Sequence, residues 1–170
     1  MTRYVALLRA VNVGGTGRLA MPHLAGMCTD AGFEDVRTYI ASGNVVFSSG
    51  LPPENVKAAL ETRLADYAGK PVGVFVRDAD EIAGVLAGNP FADKDPKFTA
   101  TIFLDAAPPP DALDGATGQD SEIMALGTRE IYVHYPDGMG RSKLKIPAAK
   151  AGTARNMNTV AKLAEMAAGA

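Results

Sequence analysis

The first 77 residues alternate apolar runs and helical stripes in one order, and this order restricts the possible folds more than any other feature of the sequence. The order β-α-β-β-α-β is typical of ferredoxin-like proteins. The sequence therefore predicts a ferredoxin-like subdomain over residues 1–77. Its predicted elements are strands over Tyr4–Arg9, Asp35–Ile40, Asn44–Ser48 and Val72–Arg77, a helix over Met21–Ala31, and a helix that opens at Pro52-Pro53.

Residues 78–170 carry strand and helix signals in a different order, which predicts a second subdomain packed on the first. Asp78 and Glu81 have the spacing of a capping box ahead of a helix. The chain should end in a helix whose apolar stripe begins at Met157. Between these helices the sequence predicts strands over Phe98–Leu104, Glu122–Leu126 and Glu130–Tyr135. The fold class predicted for the whole chain is α+β, with two packed α/β subdomains.

Composition favours a cytoplasmic protein without a membrane segment. The single cysteine, Cys28, excludes an internal disulfide framework and suits a reducing compartment. No stretch approaches the roughly 20 apolar residues of a membrane helix. The apolar run after Tyr4 is interrupted by Arg9 and lacks a cleavage site, so we do not interpret it as a signal peptide.

The net charge of -2 conceals an uneven distribution along the chain. Residues 78–127 contain two Lys and Arg against ten Asp and Glu, whereas residues 128–170 contain seven against three. A basic C-terminal third could bind a phosphate or a carboxylate, and a solvated surface of mixed charge is the alternative.

Metal and cofactor signatures are weak, so the sequence predicts neither. His23 and His134 are the only histidines, and together with Cys28 they form no metal-ligand spacing. The segment Gly15–Ala20 matches a dinucleotide fingerprint, but it does not follow the first strand directly, and the strand after it turns straight into a hairpin.

Strand topology predicts a binding site at one edge of the first sheet. In a split β-α-β sheet, the end of the first strand lies beside the start of the third. Backbone N–H groups at the start of the first helix would face the same edge and attract an anion. The residues expected to converge there are Arg9, Asn12, Gly14, Gly15, Arg18, Ser42 and Asn44. The alternative is that the asparagines bond their own turns and the glycines supply positive φ angles.

A Gly-rich loop and the start of the last helix provide further candidate binding residues. Arg141, Ser142 and Lys143 follow Gly138 and Gly140, an arrangement that can expose N–H groups beside cations. Asn156 is placed to cap the last helix. Arg155 cannot cap a helix, because a guanidinium only donates hydrogen bonds, so we expect it to face an anion and to tolerate substitution as a surface residue does.

Motifs spread along the chain resemble the domain of unknown function 1697 family. The segments that carry the resemblance are Ala6–Arg9, Asn12–Gly15, Arg37–Ile40, Ser42–Phe47, Asn89–Phe91, Tyr135-Pro136, Gly138, Gly140–Leu144 and Thr153–Asn156. The resemblance implies a two-part α+β fold and supplies no activity, substrate or catalytic residue. Met157 stands where the family often has Trp, and Ala10 where Gly is common.

Three functions are compatible with these observations. The first is binding of a small anion, a phosphorylated metabolite or a nucleotide, with or without catalysis. The second is association with nucleic acid through the basic C-terminal third. The third is a protein interaction module without a small ligand. The predicted third strand has one aromatic residue, Phe47, and lacks the aromatic pattern of RNA-binding sheets, so the sequence favours the first function.

Overall fold

The computed structural model describes residues 1–9 and 19–169 of the chain. These residues form two compact units, one from Met1–Ala83 with Leu163–Ala170 and the other from Gly84–Lys162. The chain contains helices and two four-stranded antiparallel sheets, so the predicted α+β class is confirmed. The predicted division at residue 77 and the ferredoxin-like assignment stay predictions.

The first unit contains a sheet with strand order β2-β3-β1-β4. Its strands are β1 (Thr2–Leu8), β2 (Glu34–Thr38), β3 (Asn44–Ser49) and β4 (Val74–Asp78), and its helices include α1 (Met21–Asp30) and α2 (Pro53–Ala68). β1 pairs antiparallel with both β3 and β4 and is buried from Val5 to Leu8. A strand in this central position can be apolar on both faces, which explains its continuous apolar run.

The core of the first unit forms where α1 and α2 lay their apolar stripes against the sheet. Leu24 of α1 and Leu60 of α2 are fully buried in this cluster together with Phe47 of β3. Phe47 stacks on Phe33 with ring centroids 4.4 Å apart. Gly69 ends α2 in the left-handed conformation with a φ of 70°, a backbone that glycine adopts without strain.

A capping box begins α3 (Ala79–Ala87), as the sequence predicts. The Glu81 N–H donates to Asp78 Oδ1 at 2.8 Å, and the Asp78 N–H donates to Glu81 Oε1 at 3.0 Å. These two reciprocal bonds satisfy N–H groups that a helix start leaves without a partner.

The second unit contains a sheet with strand order β6-β7-β5-β8. Its strands are β5 (Thr99–Phe103), β6 (Ile123–Leu126), β7 (Glu130–His134) and β8 (Thr153–Asn156), and α4 (Met157–Ala168) follows directly. Short 3-10 helices at Pro96–Phe98, Met139–Arg141 and Pro147–Ala149 connect the elements. The strand β8 is absent from the sequence-based prediction, which places Arg155 in an exposed segment before the last helix.

The two faces of this second sheet differ in polarity because β5 and β7 alternate polar and apolar residues. Ile102, Ile131 and Val133 point into an apolar core that the segment around Ile146 completes. The pairs Thr99–His134 and Thr101–Tyr132 lie on the opposite face. All four of these residues are buried, so this face is polar and inaccessible to water.

No helix among the described residues is long and apolar enough to cross a membrane.

Candidate functional site

The end of β1 and the turn before β3 lie side by side, as the topology predicts. Leu7 pairs with Asn44, and the Leu8 N–H donates to the Gly43 carbonyl at 2.8 Å. Asn44 is fully buried, and its side-chain amide donates to the Tyr39 carbonyl and to Ser42 Oγ, each at 2.9 Å. Asn44 and Ser42 therefore shape the turn, which supports the structural alternative for these two residues.

Arg9 lies at the same edge of the sheet. Its N–H donates to the Gly73 carbonyl at 2.9 Å, and its side chain is exposed. A Cβ at position 73 would lie 3.2 Å from Arg9 Cβ, so Gly73 makes room for the arginine stem. The other predicted members of this cluster, Asn12, Gly14, Gly15 and Arg18, lie outside the described residues.

Arg141, Ser142 and Lys143 come together in the wall of a cavity of about 220 Å³ in the second unit. The predicted Gly-rich loop therefore does border an open space. Carboxylates line the same cavity. Its remaining lining residues are Gly118, Asp120, Glu122, Tyr135, Asp137 and Gly138.

Glu122 is held in place by the protein on both of its carboxylate oxygens. The Ser142 hydroxyl donates to Oε2 at 2.5 Å, and the Asp120 N–H donates to Oε1 at 2.6 Å. Hydrogen bonds to the ionised form, that from Ser142 first, lower the pKa of Glu122. Glu122 is therefore a carboxylate near neutral pH and a weak base, which argues against activation of Ser142 as a nucleophile.

Ser142 connects this carboxylate to the backbone of its own loop. While its hydroxyl donates to Glu122, its oxygen accepts the Leu144 N–H at 3.1 Å. The hydroxyl is thus used within the protein, which supports a structural function for Ser142 in its own loop.

Unlike Glu122 and Ser142, the two cations of the cavity are not held by other described residues. Arg141 and Lys143 are exposed, and neither side chain makes a hydrogen bond or an ion pair to any residue that the structure describes. Both therefore remain available to a ligand in the cavity.

Two glycines with positive φ give the cavity wall its shape. Gly118 has a φ of 70° and lies against the backbone of Lys143, where an added Cβ would be 2.1 Å from the Lys143 carbonyl oxygen. Gly138 has a φ of 87° and precedes the 3-10 helix Met139–Arg141. Only glycine adopts such a backbone without strain, so the wall depends on these positions.

Tyr135 adds a neutral hydroxyl group to the lining. Burial, and then the negative charge of Glu122, raise the pKa of this phenol above its usual range. The hydroxyl thus stays protonated at physiological pH and can donate a hydrogen bond.

The last two predicted residues have structural contacts. The Asn156 side-chain oxygen accepts the Thr159 N–H at 2.9 Å, so its predicted function as the cap of α4 is confirmed. Arg155 is buried on β8, where its guanidinium donates to Thr153 Oγ1 at 2.7 Å and to the Ala154 carbonyl at 2.9 Å. The expectation that Arg155 behaves as a surface residue is wrong, because β8 places it on the buried polar face of the sheet.

The buried polar face is a second cluster that the sequence analysis does not single out. The Tyr132 hydroxyl donates to the Val85 carbonyl at 2.7 Å, and Thr99 Oγ1 lies 3.0 Å from His134 Nδ1. Burial lowers the pKa of Arg155 to about 10 and raises that of Tyr132 to about 12, so both keep their protons at neutral pH. The period-two alternation in Glu130–His134 was the available signal for such a face.

The described part of the chain contains no group of three His, Cys, Asp or Glu side chains that could hold a metal ion.

Cys28 is fully buried, and desolvation raises the pKa of its thiol to about 12, so it is not a thiolate nucleophile at neutral pH.

Comparison with known proteins assigns the family. The family described as "Protein of unknown function (DUF1697)" matches residues 1–132. The chain belongs to this family. The matched range ends before Arg141–Lys143, so the assignment carries no information on these cations.

A solved structure shows the same fold. The conserved bacterial protein SP0830 from Streptococcus pneumoniae has a TM-score of 0.80 to this chain, with 24% sequence identity over 98% of each chain. No curated protein matches the sequence.

Proposed function

We propose that this DUF1697 protein binds a small anionic metabolite, phosphorylated or carboxylated, in the cavity of its second unit. The observation that carries the proposal is that the Arg141 and Lys143 side chains have no partner among the described residues. Both cations line an open cavity, and neither forms an ion pair or a hydrogen bond within the described chain. A guanidinium offers paired N–H donors to an oxyanion, and an ammonium adds a compact charge beside it.

The acidic lining does not cancel these cations. The two oxygens of Glu122 accept hydrogen bonds from Ser142 and Asp120, and one oxygen of Asp137 accepts the Ser121 hydroxyl at 2.7 Å. Three of the six carboxylate oxygens in the wall thus accept hydrogen bonds from the protein's own loops, whereas neither cation donates one to a described residue.

The edge formed by β1 and the turn before β3 is a second location for such a ligand. Arg9 is exposed there, which supports binding. Ser42 and Asn44 bond to each other and to the turn, which supports a structural function for both. We therefore place the primary site at the cavity and keep the edge as a prediction.

A thermal-shift titration with propyl phosphate tests the proposal. A ligand at 100 times its Kd adds about 2.7 kcal/mol to the free energy of unfolding. For a chain of this size, that corresponds to a rise in Tm of roughly 5–10 °C. Arg141→Ala and Lys143→Ala should each remove most of this rise.

Lys145→Ala is the matched control, since it removes the same charge from the same segment at an exposed position outside the cavity lining. It should retain the full rise in Tm. If the wild-type protein shows no rise with propyl phosphate, butyrate or inorganic phosphate, the proposal is wrong. If all three variants lose the rise in Tm equally, the anion is attracted only by the overall charge of the protein, and the proposal of a specific site is wrong.

A further inference from the structure

The cavity presents free carboxylate oxygens beside its two cations, and this combination narrows the class of ligand. We propose that the ligand is a small zwitterion, which carries an ammonium group in addition to the phosphate or carboxylate bound by Arg141 and Lys143. This inference rests on the function proposed above. It assigns Asp120 and Asp137 as the groups that recognise the ammonium.

The availability of these carboxylates follows from the hydrogen bonds around them. Asp137 receives the Ser121 hydroxyl on Oδ2 alone, and its Oδ1 accepts no bond from any residue described. The Asp120 side chain likewise accepts none within the described ranges, although its own N–H supports Glu122. Two exposed carboxylates thus face the cavity with oxygen atoms to spare.

The charge of the lining leads to the same conclusion. Two cations and three carboxylates surround the space, so a bare anion at Arg141 and Lys143 would lie near like charges. Like charges at close range raise the free energy of a complex. An ammonium on the same ligand converts that repulsion into attraction.

The volume of the cavity suits a small ligand. About 220 Å³ lies below the roughly 300–1,000 Å³ typical of sites for drug-sized molecules. It corresponds to about seven waters, at roughly 30 Å³ each. An amino acid or an amino-alkyl phosphate fits within this space, whereas a nucleotide would extend beyond it.

Isothermal titration calorimetry with two isosteric ligand pairs tests the inference. Phosphoethanolamine and propyl phosphate have the same shape and differ by an ammonium in place of a methyl group. β-Alanine and butyrate form the equivalent carboxylate pair. We expect the amino member of at least one pair to bind about fivefold more tightly, because an ion pair at an exposed site contributes up to about 1 kcal/mol.

Two variants assign that preference to residues. Asp120→Asn and Asp137→Asn should each reduce the preference for the amino member and leave the affinity for propyl phosphate equal or higher. Asp120→Asn removes no side-chain hydrogen bond, so its folding is secure even if Asp137→Asn disturbs Ser121. Asp114→Asn, an exposed residue outside the lining, is the control and should keep the full preference.

The possible outcomes separate this inference from the proposed function. Equal binding of both members of each pair overturns the zwitterion and leaves anion binding intact. Absence of binding by all four molecules overturns both. A preference for the amino member that survives Asp120→Asn and Asp137→Asn overturns the assignment of these two carboxylates.

Discussion

Replacement of Gly118 by alanine tests how the cavity wall is built. The added Cβ would lie 2.1 Å from the Lys143 carbonyl oxygen, whereas carbon and oxygen in close contact are about 3.3 Å apart. The Lys143 backbone would therefore have to move by about 1 Å. Such a movement strains the adjacent pair of hydrogen bonds between Thr117 and Lys145, which are 2.9 and 2.8 Å long.

Two terms set the expected loss in the free energy of unfolding. Overpacking costs about 1–3 kcal/mol, and a left-handed backbone costs a non-glycine residue about 1–2 kcal/mol. Gly118→Ala should therefore lose about 3 kcal/mol. At a denaturant dependence of about 2 kcal/mol per molar urea, the unfolding midpoint should fall by about 1.5 M.

Urea denaturation followed by circular dichroism measures this loss, and Gly140→Ala is the matched control. Gly140 lies in the adjacent 3-10 helix Met139–Arg141, its φ is not positive, and a Cβ there would meet no atom within 4 Å. The control should stay within about 0.5 kcal/mol of the wild-type protein. If Gly118→Ala also stays within that range, the close approach of Gly118 to Lys143 does not describe the protein in solution.

Three further substitutions test individual contacts. Asn156→Ala should lose roughly 1 kcal/mol in urea denaturation, because the Thr159 N–H loses its cap, and an unchanged midpoint would contradict the cap. Arg155→Ala should lose more than about 1.5 kcal/mol, since it removes two hydrogen bonds from a buried guanidinium; a loss below about 0.5 kcal/mol would restore the interpretation as a surface residue. The pKa of the Cys28 thiol rises from 9.0 to about 12 on folding, so the unfolded chain releases this proton first and stability falls as pH rises above about 9. Between pH 8 and pH 10, Cys28→Ala should lose about 1.4 kcal/mol less than the wild-type protein, and identical pH profiles would show that the thiol is not buried.

Several elements of the first unit could be predicted because their local sequence signals are unambiguous. The turn at Ser42-Gly43 and the helix start at Pro52-Pro53 each have one structural interpretation, and both elements form as predicted. The capping box at Asp78 and Glu81 likewise forms as its sequence spacing predicts. Patterns of this kind act over a few residues, so they can be identified without tertiary information.

The strand β8 could not be predicted in this way. Thr153–Asn156 is four residues long, contains one charged residue, and precedes an apolar stripe at helical spacing. Its strand conformation comes from pairing with β5, about fifty residues earlier in the chain, and that pairing also buries Arg155. Tertiary context of this kind overrides local propensity.

The sequence predicts the cationic residues of the candidate site, but it does not predict the acidic residues. Glycines beside Arg141 and Lys143 are a local signal for an anion loop. Asp120 and Glu122 reach the same cavity through the bridge between Thr117 and Lys145, which has no pattern in the sequence.

The most direct test of anion binding at Arg141 and Lys143 is a titration of ¹⁵N-labelled protein with inorganic phosphate, followed by the chemical shifts of its backbone amides. We expect the largest changes at Gly138–Lys143 and at Gly118, with saturation as phosphate increases. Lys143→Ala should abolish these changes, and Lys145→Ala should not. Saturating changes centred on Ser42–Asn44 would place the site at the β1 edge, and changes without any centre would contradict a specific anion site in this protein.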